Sequence, residues 1–367
     1  MKIAYFVHSL SVGGAETLAC SYLLKLKEFG HEVILIQKRD DKSFLNKKIT
    51  DAGIPTYTLT PSGRDVMSKG RRFLVMKFFI GAKLNKLLKK LKVDVLHNHI
   101  SFEGIKKLPL KAQNIFYSIH TDVERTFKIY GKSHYKNTKN FISKGINVIV
   151  LTEKMRDDLL HYFPNAKNHL FGNGIEVEKI FNSKYNREEF LSSYGIEKDS
   201  FVLGHAGRYF PVKNHQKVIE VFAELKKLHA NSNLILVGTG NDEEKSTVNN
   251  LIKKYGVEKD VVQLGLREDV PAIMSVLDAF ILPSFNEGYG LVVLEAQIHG
   301  VRSVISKAVS PEVVYKNNVT IMDINTSSIE WAKALLEQPS DVALKDVNEY
   351  SIDNVMRKHE KIYLESL

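Results

Sequence analysis

Ser284-Phe285-Asn286-Glu287-Gly288-Tyr289-Gly290-Leu291-Val292-Val293-Leu294-Glu295-Ala296 follows the apolar run Ala279-Phe280-Ile281-Leu282-Pro283 and leads on to Gly300. The run reads as a buried strand, the glycines as a loop, and the remainder as a helix. Such a junction aims unpaired backbone N–H groups and the positive end of a helix dipole at one point, which suits an anionic ligand. Glu287 stands in the loop and Glu295 more than a turn into the helix. Eight helical residues rise roughly 12 Å, whereas two carboxylates that share one scissile bond in a retaining glycosidase lie about 5 Å apart. The pair is therefore expected to grip opposite ends of an elongated ligand, with a phosphate between them.

The same grammar recurs on both sides of this stretch. Lys2 to Val7 reads as a buried strand, followed by a loop at Ser11-Val12-Gly13-Gly14 and a helix through Leu18, Tyr22, Leu23 and Leu26. Its glycine spacing is not the dinucleotide GxGxxG. Further strands are expected at 31–36, 53–59, 93–99, 114–122 and 147–152, and a second series at 201–208, 233–240, 261–265 and 303–306, with helices between. This predicts an α/β chain with parallel, doubly wound sheets. Ligands of such sheets gather at the carboxyl ends of the strands, so His99, His120 and Asp122 are expected in one cleft, with Arg125 and Lys128 adding positive charge. These residues lack the spacing of a metal site, and no metal is expected. Arg208 and Lys213 straddle a strand-to-helix turn where two cations would neutralise a diphosphate. Asp269 is expected to cap a helix running to Val276.

With 367 residues the chain has room for two ordinary domains. The glycines around Asn173 read as linker chemistry, which divides the chain into 1–172 and 173–351; a last amphipathic helix passes through Val355, Ile362 and Tyr363. The formal charge of +10 is uneven, because residues 1–170 hold 30 Lys and Arg against 14 Asp and Glu. That half is expected to meet an anionic partner. No nucleic-acid motif accompanies the charge, so nucleic acid is not expected. Between Lys69 and Lys92 an amphipathic basic helix opens with Arg71-Arg72-Phe73-Leu74-Val75-Met76-Lys77-Phe78-Phe79-Ile80, more apolar bulk than one buried stripe uses. Flanked by Arg71, Arg72 and Lys77, it is a candidate for contact with an anionic membrane surface. A single cysteine, Cys20, and a first apolar run too short for a signal peptide point to a cytoplasmic setting, peripheral at the inner face of the membrane.

Three motifs in this order and spacing closely resemble the GT-B glycosyltransferases, in particular the large retaining family 4. Glu287 to Glu295 looks like that family's E-x7-E signature, Gly207-Arg208 with Lys213 like its GR-x4-K element, and Asn173-Gly174-Ile175 like its interdomain turn. Arg267 to Pro271, Pro283-Ser284, Glu295-Ala296-Gln297 and Ser328 to Ala332 are similar to the bacterial capsular and exopolysaccharide branch. The resemblance implies two Rossmann-like domains facing across a cleft. Residues 1–172 would be the acceptor side, 173–351 would bind the nucleotide-sugar donor, and 352–367 would pack back on the first domain.

It further implies roles for matching residues. Glu295 would bind the ribose diol, Arg208 and Lys213 the diphosphate, and the Arg267 segment the base. Glu287 with the amides of Gly288, Tyr289, Gly290 and Leu291 would take the donor sugar and phosphate. Gly13 and Gly14 would present amides to the distal phosphate, and His120 would meet the sugar near its reacting carbon, with His99 and Arg125 on the acceptor side. The implied activity is metal-independent, cofactor-free transfer, with retention, of a sugar from a nucleotide-diphosphate donor, UDP-linked, to a lipid-carried or growing saccharide of the cell envelope. An epimerase or phosphorylase on the same fold, or a catalytically silent partner subunit, are the competing readings.

Overall fold

In the computed structural model the described residues are 1–11, 13–60, 71–99, 102, 105–337, 342 and 344–367, and of 71–78, 129 and 130 only the backbone is described. Ile3 to Val7 are apolar without alternation, a pattern that suits a strand covered on both faces, and the segment is buried as β1 (Lys2–Val7). Six more strands join it: β2 (Glu32–Gln37), β3 (Thr56–Thr58), β4 (Val95–Asn98), β5 (Ile115–Ser118), β6 (Asn147–Val150) and β7 (Lys167–Leu170). All pair in parallel, in the order β3-β2-β1-β4-β5-β6-β7. The order reverses between β1 and β4, and crevices at such reversals are where open α/β sheets hold ligands.

A second parallel sheet is built from β8 (Phe201–Ala206), β9 (Ser232–Val237), β10 (Val261–Gly265), β11 (Ala279–Leu282), β12 (Arg302–Ser306) and β13 (Val319–Met322). Its order is β10-β9-β8-β11-β12-β13, with the reversal between β8 and β11. The helix His215–Leu228 covers one face through Val218, Ile219, Val221, Phe222 and Leu225, and the fully buried Trp331 of the helix Ser328–Leu336 joins the same core. Each large apolar side chain buried in this way contributes roughly 1.5–3 kcal/mol.

The chain divides into two units, Met1–Ile175 with Tyr350–Leu367, and Glu176–Glu349. The final helix, Ile352–Ser366, belongs to the first unit, where Ser351 caps it by accepting the Asn354 N–H and Tyr363 is fully buried. Gly174 is what lets this helix start come close. A Cβ there would lie 2.9 Å from Ile352 Cα and 2.9 Å from Val355 Cβ, and its N–H donates to Tyr22 Oη at 2.8 Å. Ile175 then bridges Ser351 in parallel.

The basic helix runs Arg71–Leu91, with Ile80, Leu84 and Leu88 buried one turn apart and Lys83, Lys86, Lys89 and Lys90 on the outside. Phe79, at the apolar end, is 59% exposed. The side chains of Arg71, Arg72 and Lys77 lie outside the described residues, as does Lys69. Among the described residues no helix is long and apolar enough to cross a membrane.

Candidate active site

In the second unit the loops after β8 and β11 meet at the sheet's reversal point. Pro211–Lys213 forms a 3₁₀ turn, and Asn214 follows in the left-handed conformation (φ 55°), where its side chain caps the next helix by accepting the Lys217 N–H. The same side chain donates to Pro283 O at 3.1 Å, and the Phe285 N–H donates to Val212 O at 2.8 Å. These two bonds tie the loops together and bring Lys213 to Glu287: Nζ lies 2.6 Å from Oε1, which also accepts from Ser284 Oγ at 2.5 Å. Gly207 leaves room for the lysine stem, since a Cβ there would lie 3.1–3.3 Å from its carbons. Arg208 is exposed, with its guanidinium 5.8 Å from the Phe210 ring centroid.

Two expectations change here. The helix begins only at Leu291 (Leu291–Ile298), so Glu287 lies in the loop and Glu295 just over a turn in, as expected, but the helical rise that counts is four steps, about 6 Å, rather than eight. Lys213 is not a free cation waiting for a phosphate, because Glu287 already neutralises it. The helix start itself is as expected of an anion site. Gly290 occupies the N-cap position at φ 100°, and no side chain caps the helix there. A Cβ at Gly290 would lie 2.9 Å from Val309 Cγ1, and a side chain at positive φ is strained besides. The side chain of Tyr289 is buried.

Glu295 projects from just past the first turn of this helix, with Oε2 buried and without a hydrogen-bond partner among the described residues. Burial pushes its carboxyl up to about 7. A buried carboxylate with no donor is costly, and hydroxyl donors on a ligand would remove that cost. Arg267 stands apart. It follows the edge strand β10, and Asp269 takes its guanidinium in a fork at 2.8 and 2.6 Å, with Tyr194 and Tyr185 also within reach. Asp269 therefore does not cap its helix as expected: it occupies the N-cap position, but its carboxylate is spent on Arg267, whose hydrogen bonds hold it down at about 2.

In the first unit Gly13 is the N-cap of the helix Gly14–Glu28, extended at φ −172°, with no side-chain cap. His99 follows β4 and His120 follows β5, and the structure joins them through Nδ1 of His99 and Nε2 of His120 at 2.7 Å. Asp122 opens the next helix, and its carboxylate is engaged there. One oxygen caps the helix Val123–Ile142 by accepting the Arg125 N–H at 2.8 Å and the other pairs with Lys154 at 3.1 Å, the ordinary use of an Asp at a helix start.

Behind the histidine pair lies a cluster that sequence reading did not anticipate. His97 lies 4.2 Å from His99, ring to ring, and its two nitrogens meet Tyr363 Oη at 2.5 Å and Ser118 Oγ at 2.7 Å. Tyr363 also touches Tyr5 Oη and His359 Nδ1. Burial drives His97 and His99 well below the usual histidine range, His120 to about 4 and His359 to about 3, so the rings are neutral.

Comparison with known proteins decides what this arrangement belongs to. Residues 12–179 match the Glycosyltransferase Family 4 model and residues 186–346 the model for Glycosyl transferases group 1. The chain belongs to these glycosyltransferase families. The UDP-Gal:alpha-D-GlcNAc-diphosphoundecaprenol alpha-1,3-galactosyltransferase of Escherichia coli is 29% identical, over 77% of this glycosyltransferase and 78% of its own length. The capsular polysaccharide biosynthesis glycosyltransferase CapH of Staphylococcus aureus is 22% identical over 99% of each chain. Among solved structures, Anabaena HepE in complex with UDP superposes with a TM-score of 0.76 at 19% identity, covering 100% of each chain. That likeness shows the fold, the two-domain GT-B class with a Rossmann-like sheet in each unit.

Proposed function

We propose that this glycosyltransferase moves a sugar, with retention and without a metal, from a UDP-linked donor to a lipid-linked or growing saccharide in cell-envelope polysaccharide synthesis. The observation that carries the reading is Glu295: a carboxyl whose buried oxygen has no partner among the described residues, set one turn behind an uncapped helix start and a Lys–Glu pair. A nucleoside diphosphate supplies what each part lacks. Ribose hydroxyls donate to Glu295, phosphate oxygens accept from the amides of Gly288 to Leu291, and Lys213 with Arg208 stabilises the charge that grows on the leaving diphosphate. The Arg267 segment takes the base. In the first unit, the uncapped amides at Gly13 and Gly14 serve a phosphate and His120 serves the sugar. His99 and Arg125 are assigned to the acceptor side.

The donor base and acceptor class follow the Escherichia coli relative, whose name gives a UDP-sugar donor and a lipid diphosphate acceptor. A lipid-borne acceptor fits a peripheral enzyme, and the helix Arg71–Leu91 with its exposed Phe79 and basic flank is the proposed contact with anionic lipid. The test is transfer from a panel of nucleotide sugars in the presence and absence of EDTA, with the anomeric configuration of the product read by NMR. An α-linked product from an α-UDP-sugar, unaffected by EDTA, is expected; inversion or loss of activity on chelation contradicts the mechanism. Sedimentation with phosphatidylglycerol vesicles at low salt tests the lipid contact, which fails if the protein stays in solution.

A further inference from the structure

Nδ1 of His99 and Nε2 of His120 are 2.7 Å apart, and the ring planes differ by only 10° with centroids 5.0 Å apart. Parallel rings in face-to-face contact cannot bring two nitrogens so close. The rings therefore lie nearly in one plane, joined by an in-plane N–H···N bond in which one nitrogen carries the proton and the other a lone pair.

We infer that His99 is a positioning residue that holds His120 as the tautomer protonated on Nδ1. Two assignments satisfy the shared bond. If His120 Nε2 were the donor, the proton of neutral His99 would sit on its own Nε2, which is buried and without a partner among the described residues. A buried N–H left unpaired costs about 1–3 kcal/mol. If His99 Nδ1 is the donor, its Nε2 is a bare acceptor, and unused acceptors are tolerated more readily than orphaned donors. The second assignment prevails.

Its consequence falls on His120. With Nε2 accepting, the proton is on Nδ1, which makes no hydrogen bond among the described residues and is not one of the buried unpartnered atoms. His120 thus offers the substrate a hydrogen-bond donor rather than a base. It is suited to holding a sugar hydroxyl or ring oxygen, and unsuited to taking a proton from the acceptor. His99 is kept in place from behind. Its backbone N–H donates to Phe6 O at 2.9 Å, and its ring packs on His97, which Ser118 and Tyr363 fix at both nitrogens. The catalytic part of this inference rests on the assignment of His120 to the sugar; the tautomer does not.

Nitrogen-15 NMR of the histidine-labelled enzyme reads the tautomer directly, with His120→Phe identifying the signal. In the wild type His120 is expected with a protonated Nδ1 and a bare Nε2. His99→Phe, which keeps the ring and removes the donor, should shift it to the Nε2-protonated form and lower kcat/KM by about tenfold, the loss of one hydrogen bond. His99→Asn, whose amide donates from nearly the position of Nδ1, should keep the signal and most of the rate. An Nε2-protonated His120 in the wild type overturns the inference, as does a His99→Phe variant with both signal and rate unchanged. If the tautomer is as stated but His120→Phe transfers sugar normally, the assignment of His120 to the sugar fails while control of its tautomer by His99 stands.

Discussion

Lys213 and Glu287 come from loops 74 residues apart, yet they meet at 2.6 Å where the second sheet reverses, so the site's cation is balanced by its own carboxylate before any ligand arrives. A phosphate must compete with Glu287 for the ammonium. Replacing Glu287 by Gln is therefore expected to leave UDP binding unchanged or tighter while transfer falls by about 10²–10³, since the carboxylate also serves the sugar. Lys213→Ala should weaken UDP by about 2 kcal/mol or more. Calorimetric titration of both variants checks this, and equal weakening by the two would show that Glu287 itself binds the nucleotide.

Glu295 makes a prediction of the opposite kind, a variant more stable than the native chain. In the unfolded chain the carboxyl loses its proton near 4.5, and in the folded chain near 7. Between those values the folded form keeps a proton that the unfolded form has released, so this group's contribution to stability declines as pH rises from about 4.5 to about 7 and is constant above. The total is roughly 3 kcal/mol. Glu295→Gln should raise the Tm at pH 8, change little at pH 4.5, and abolish UDP binding. Trp331, the single tryptophan, lies in the same unit and reports its unfolding by fluorescence. A variant that melts below the wild type at pH 8 would contradict the account.

Much of this was legible in the chain because it is local. Apolar runs that lead into glycine-bearing loops at 2–14, 201–207 and 279–290 announce strand, loop and helix, and the parallel α/β class with its two Rossmann-like sheets follows from their repetition. What sequence could not show is pairing across distance. Nothing near His97 signals that Tyr363, 266 residues on, will bind it, nor that Ser284 will share Glu287 with Lys213. Asp269, expected as a cap and found on Arg267, shows the same limit beside Asp122, which does cap its helix. An Asp before a helix has two competing uses, capping and ion pairing, and only the neighbours decide: Lys154 and the Arg125 amide for one, Arg267 for the other.

The first unit should be sensitive to the chemistry of its last helix. Tyr363→Phe removes the hydroxyl that engages His97, leaving a buried ring nitrogen unpaired at a cost of about 1–3 kcal/mol. Gly174→Ala forces a Cβ to 2.9 Å from the Ile352 backbone and should cost about 1–3 kcal/mol by overpacking. Each is expected to lower the chemical denaturation midpoint. A midpoint unchanged in both would mean that the final helix does not hold the unit together.

Acid should unfold the protein through the same cluster. His97, His99, His120 and His359 are held neutral by burial, with His120 near 4 and His359 near 3, whereas in the unfolded chain they charge near 6.5. Between 6.5 and about 4 the unfolded form binds more protons, so the stability present at neutral pH is lost on acidification. The Tm followed by circular dichroism should fall steeply across that window, less so for His359→Phe. A flat profile would contradict the burial of these rings.

The central claim is that the second unit holds a nucleoside diphosphate between Glu295 and the amides at Gly288 to Leu291. Thermal unfolding monitored by Trp331 fluorescence, with and without UDP, tests it most directly, because a ligand selective for the native state raises the Tm by mass action. UDP at about 100 times its Kd should add about 2.7 kcal/mol to the stability of the wild type and leave Glu295→Ala unmoved. No shift of the wild type with UDP or any other nucleoside diphosphate, or an equal shift in Glu295→Ala, would contradict it.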